Sequence, residues 1–104
     1  MGQKIPEIER LIKRLKKNIR LDRVILFGSR SRGDWLQDSD VDLLLVSPDF
    51  KGIHFTKRAE SILRLWDGKT RPEPICLTPE EYQERKEKIT IVREAARHGV
   101  TVYP

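Results

Sequence analysis

The six-residue run Val41-Asp42-Leu43-Leu44-Leu45-Val46 constrains the fold more than any other part of the chain. Its β-branched and aliphatic residues predict a buried strand, stopped by Ser47-Pro48-Asp49. Asp42 interrupts that run, and Asp40 stands two residues before it. A strand repeats every two residues, so both acids leave one face, with Cα atoms about 6.5 Å apart. Acids in a segment that otherwise goes inside cost stability unless something compensates them. A convergent carboxylate pair on a rigid strand suits a hard cation such as Mg²⁺, which takes carboxylate, water and phosphate oxygens.

The flanking sequence surrounds this run with helices and further strands. Ile5, Ile8, Leu11, Ile12, Leu15 and Ile19 recur at helical spacing, with Pro6 in the first turn. They predict an amphipathic helix ending near Asn18, its basic face solvated. Arg23-Val24-Ile25-Leu26-Phe27 predicts a strand ended by Gly28, followed by a polar stretch from Ser29 to Ser39. Phe55, Ala59, Ile62, Leu63 and Trp66 fall on one face of a second helix, which places Trp66 in the core and Gly68 at the stop. Pro72-Glu73-Pro74-Ile75-Cys76-Leu77 reads as extended, its prolines pushing it to a sheet edge or a strand start. Thr78-Pro79-Glu80-Glu81 opens a helix with a cap, a first-position proline and a capping box. That pattern continues through Tyr82, Ile89, Val92, Ala95 and Ala96, with a break near Ile89-Thr90-Ile91, and stops at Gly99. Val100 to Tyr103 forms a last strand. The order α-β-β-α-β-α-β, with a tight link between the first two strands, predicts an α+β fold.

Composition narrows the function classes. The 104 residues make room for one domain over residues 1–104. Lys+Arg number 21 against 16 Asp+Glu, a net charge of +5, but both signs are interspersed and point only weakly to nucleic acid. The one cysteine, Cys76, excludes a disulfide framework and any zinc site built on paired cysteines. No stretch has the length of a membrane span, and the start carries no apolar leader, so a cytoplasmic protein without membrane contact is expected.

Gly28-Ser29 follows the first strand and supplies the complement to the acids. Glycine allows a sharp turn and close backbone approach. If the residues after it begin a helix, their free N–H groups and the Ser29 hydroxyl face an anion. Arg30 and Arg32 stand close enough in sequence to add bidentate phosphate contacts. These parts describe a phosphate cradle opposite a metal site. Two rival motifs fail. Gly28 to Gly33 has the glycine spacing of a Walker A loop, but Asp34-Trp35 replaces its Lys and Ser/Thr. Asp38, Asp40 and Asp42 mimic the start of an EF-hand loop, yet Leu43 occupies the glycine position and Asp49 the glutamate position.

Gly28-Ser29, ten intervening residues and Asp40-x-Asp42 inside a hydrophobic strand resemble the signature of the DNA polymerase β-type nucleotidyltransferase superfamily. The length is similar to that of its minimal nucleotidyltransferase branch, and the resemblance covers essentially the whole chain. It implies a polymerase-β-like palm, a small mixed β-sheet flanked by helices. It also implies transfer of a nucleoside monophosphate from an NTP, with ATP the favoured donor and two Mg²⁺ ions as cofactors. Carried over, Gly28, Ser29, Arg30 and Arg32 bind the nucleotide, Ser29 touching the β and γ phosphates, while Asp40 and Asp42 hold metal. The family adds a third carboxylate on a neighbouring strand. Glu73 is the acid available there; an alignment shifted by two leaves Ile75 at that position and no carboxylate, and a solvated turn is the other reading of Glu73. Some members act as antitoxins that adenylylate a HEPN-domain partner, which makes such a protein a candidate partner and a protein or RNA hydroxyl the candidate acceptor. A homo-oligomer or a partner completing the site is compatible with so short a chain. The rival function is a degenerate nucleotidyltransferase-fold binding module that neutralises its partner. A basic nucleic-acid-binding domain is the third and weakest, because no aromatic-interleaved basic strand is present.

Asp38 is expected to form a turn, and Trp35 either stacks on a base or packs on its own loop. His54 and His98 lack spaced partners for a metal, His98 lying near a helix end. Cys76 is expected as a small buried hydrophobe.

Overall fold

A computed structural model describes residues 5–28, 41–88 and 90–104. Helix α1 (Pro6–Asn18) leads into strand β1 (Arg23–Phe27) and, after the polar stretch, β2 (Val41–Val46). A 3-10 turn over Pro48–Phe50 precedes α2 (Phe55–Leu65), β3 (Pro72–Leu77), α3 (Pro79–Arg85), α4 (Thr90–His98) and β4 (Val100–Tyr103). The four strands form one sheet in the order β3-β2-β1-β4. Strand β1 pairs antiparallel with β2 and β4, whereas β2 and β3 run parallel, joined through α2. The fold is α+β, as the element order predicts, and the sheet is mixed, as the resemblance implies. Strand β3 lies at the edge, where Pro72 and Pro74 are tolerated.

Both faces of the sheet are covered. Val24, Leu26, Val41, Leu43, Leu45 and Cys76 pack with Ile8, Leu11, Ile12 and Leu15 of α1 and Ile62 of α2. Ile25, Phe27, Leu44, Val46 and Leu77 pack with Tyr82 of α3 and with Val92 and Ala95 of α4. Because β2 is central and buried on both sides, it reads as a continuous apolar run rather than an alternating one. Asp42 is the one acid in it.

The caps follow the sequence. Thr78 Oγ1 accepts from the Glu81 backbone N–H at 3.2 Å, and the Thr78 N–H donates to Glu81 Oε1 at 2.8 Å. These reciprocal bonds satisfy two otherwise unpaired donors at the start of α3. Pro6 and Pro79 both occupy first-turn positions.

Helix α2 departs from the expected face. Its buried residues are Arg58 and Ile62, while Phe55 and Leu63 are 44% and 47% exposed. The helix ends at Leu65, before Gly68; Trp66 lies just beyond it and packs half-buried against the core as expected, its Nε1 donating to the Thr70 carbonyl at 2.8 Å. The reason for the departure is Arg58. Its guanidinium donates to the Ile53 and Cys76 carbonyls at 2.7 and 3.0 Å and to Glu81 at 2.7 Å, with the Phe50 and Phe55 rings nearby. Partners from three later and earlier segments bury a charge that periodicity assigns to solvent.

Candidate active site

The candidate site lies where β2 begins and β1 ends. Asp42 pairs across the sheet with Phe27 of β1 on one side and with Glu73 of β3 on the other. Residues opposite one another in a parallel pair share a face, on strands about 4.8 Å apart. Asp42 shares its face with Leu44 and Val46, and Glu73 with Ile75 and Leu77, all on the side covered by α3 and α4. The two carboxylates therefore stand on the last rung of that core, in line with Phe27. Asp42 is half-buried and Glu73 exposed, as expected of a rung that closes an apolar layer and opens to water. With a shift of two, Ile75 stands opposite Leu44 and packs with the α3/α4 core, so that rung carries no acid.

Gly28 closes the other flank. Its φ of +77° lies in the left-handed region that glycine adopts without strain. A Cβ added there would collide with Asp42 Oδ2 and lie 3.2 Å from Asp42 Cγ. The aspartate carboxylate thus leans over the backbone at the end of β1, a position open only because residue 28 has no side chain. Gly28, Asp42 and Glu73 all make further interactions. Ser29, Arg30, Arg32 and Asp40, with Trp35 and Asp38, lie outside the described residues.

Carboxylate oxygens are the donors that Mg²⁺ accepts, so Asp42 and Glu73 fit that ion chemically. Among the described residues no group of three or more His, Cys, Asp or Glu is placed to hold a metal. A cavity of about 320 Å³, lined by Leu15, Ile19, Phe50, Ile53 and Leu65 among others, lies past the far end of β2 and is separate from this rung. No helix among the described residues is long and apolar enough to cross a membrane.

Residues 8–98 match the family model of the nucleotidyltransferase domain. The chain is 33% identical over 102 residues to the "putative protein adenylyltransferase MJ0141" of Methanocaldococcus jannaschii, covering 92% of this chain and 99% of that one. It is also similar to a crystal structure titled a "putative nucleotidyltransferase" from Sulfolobus solfataricus, with 27% identity and a TM-score of 0.54 over 99% of this chain and 91% of that one. A family match over most of the chain, a mixed sheet of the same fold and an acid-bearing strand beside a left-handed glycine all agree: this chain belongs to the nucleotidyltransferase domain family.

Proposed function

We propose that the chain transfers a nucleoside monophosphate, AMP from ATP, to a protein or RNA hydroxyl, with Mg²⁺ held by Asp40, Asp42 and Glu73. The observation that carries this reading is the register that sets Glu73 opposite Asp42, with Gly28 against the Asp42 carboxylate. Gly28, Ser29, Arg30 and Arg32 are assigned to bind the nucleotide's phosphates. Mg²⁺ supplies charge neutralisation of the triphosphate and lowers the pKa of the acceptor hydroxyl. The acceptor oxygen bonds to the α-phosphorus, the bond from that phosphorus to its bridging oxygen breaks, and pyrophosphate leaves. Glu73, on the outer strand, takes the hydroxyl proton. Such transfer depends chiefly on positioning and electrostatics, so few protein groups are needed.

A relative named as a protein adenylyltransferase supports a protein acceptor, and the resemblance to the minimal branch makes a HEPN-domain protein the first partner to test, with this chain as its antitoxin. The experiment incubates the protein with α-labelled ATP, Mg²⁺ and a HEPN-domain protein encoded beside it. Label is expected on the partner with the wild-type chain and not with Asp42→Asn, whose circular dichroism should match wild type. Undiminished labelling by Asp42→Asn overturns the assignment. Partner binding without labelling, unaffected by that substitution, replaces it with the non-catalytic binding module.

A further inference from the structure

Strand β3 brings a cation to the same face as the candidate carboxylates. The Val41 N–H donates to the Arg71 carbonyl at 2.9 Å, so the ladder extends one residue beyond the strand start at Pro72. Pro72 pairs with Val41 and Glu73 with Asp42, so Arg71 stands one residue before the first of these pairs. Alternation along an extended chain places Arg71 on the face of Glu73, Ile75 and Leu77, away from buried Pro72 and Cys76. Arg71 is exposed, and no ion pair among the described residues involves it.

The sheet order decides which part of the reaction this cation serves. Gly28 flanks Asp42 from β1, whereas Arg71 and Glu73 flank it from β3, the outermost strand. If the triphosphate occupies the glycine side, the acceptor approaches over β3. A partner segment gains little from pairing with that edge, because Pro72 and Pro74 carry no N–H to offer. Side chains must hold the acceptor instead, and Arg71 is one on this strand that can bind anions bidentately.

We infer that Arg71 is a specificity residue on the acceptor side, selecting hydroxyls that have an anionic group beside them. The inference rests on the nucleotidyl-transfer reading. In the step, the acceptor oxygen bonds to the α-phosphorus of ATP, pyrophosphate departs and the hydroxyl proton passes to Glu73, while Arg71 holds the neighbouring anion without joining the chemistry.

Glycerol and glycerol 3-phosphate serve as paired probe acceptors, with ATP and Mg²⁺ at fixed concentrations. Adenylylated product and free AMP from transfer to water are both measured. Wild type should adenylylate glycerol 3-phosphate at least about tenfold faster than glycerol. Arg71→Gln should bring that ratio near one through a higher KM for the phosphorylated probe, with the rate of AMP release to water unchanged, and Arg71→Lys should keep part of the preference. Equal rates on the two probes in wild type, or an undiminished preference in Arg71→Gln, overturn the inference while AMP release persists. Absence of ATP turnover with both probes, together with no label on the partner protein from α-labelled ATP, refutes the nucleotidyl-transfer reading itself.

Discussion

The Arg58 guanidinium, 6% exposed, donates to Glu81 Oε1 at 2.7 Å and ties α2 to the start of α3. Glu81 also receives the Thr78 N–H, so one carboxylate both closes the capping box and neutralises a buried cation. Arg58 beside it holds the Glu81 carboxyl below its ordinary range. Removing Glu81 strands a buried charge among neutral carbonyls. Glu81→Ala should destabilise the protein by about 2 kcal/mol, less than for a fully buried pair because Arg58 is buried but Glu81 is partly exposed. Glu81→Gln should cost less because its amide oxygen keeps the two contacts made to Oε1, from Arg58 and from the Thr78 N–H, and loses only the 3.4 Å bond to Oε2. Urea unfolding of the two variants checks the order; equal midpoints for Glu81→Ala and wild type would contradict it.

Asp67 gives the acid side of the stability profile a second contribution. It accepts from Arg10 at 2.8 and 3.0 Å and from Arg14 at 2.8 Å, and the Arg10 hydrogen bonds hold its pKa down to about 2. A carboxyl depressed in the folded state contributes stability that is fully present above its unfolded value near 3.8 and fades as pH falls toward 2. Thermal melts across that window should therefore show a steeper loss in wild type than in Asp67→Asn. Added salt should narrow the difference, because the cluster is exposed.

Gly28 makes a sharper claim about the site. Gly28→Ala forces a Cβ onto the Asp42 carboxylate and imposes a left-handed backbone on alanine. The backbone term should cost about 1–2 kcal/mol. Displacing a carboxylate by an ångström is worth on the order of a hundredfold in rate, so nucleotidyl transfer should fall far more than the melting temperature accounts for. A variant that melts lower but transfers at the wild-type rate would separate Asp42 from the chemistry.

Cys76 should be inert in the folded protein. It is 2% exposed, and burial pushes its thiol up to about 12, so almost no thiolate exists at neutral pH. A disulfide-exchange reagent at pH 8 should label the chain stoichiometrically in denaturant and negligibly without it. Rapid labelling of native protein would show that β3 opens readily.

Much of this protein was legible in local patterns, because short-range periodicity and capping act within a few residues. The apolar runs give β1 and β2, the prolines mark β3 as an edge, and Thr78-Pro79-Glu80-Glu81 opens α3 as a capped helix. Asp42 stood out for the same reason: an acid inside an aliphatic strand is visible without any tertiary context. The buried face of helix α2 is legible only in part: Ile62 goes inside, but Phe55 and Leu63 look like core residues until Arg58 finds Glu81 and two carbonyls from outside the helix.

By itself the amino-acid sequence determined which segments become strands and helices and which of them carries the acid. Only the tertiary structure decided the rung: that Glu73 rather than Ile75 stands opposite Asp42, and that Gly28 lies against the same carboxylate. The physical reason is register. Side-chain alternation is written into each strand, but the offset between two parallel strands joined by a helix is set by how α2 packs across the sheet.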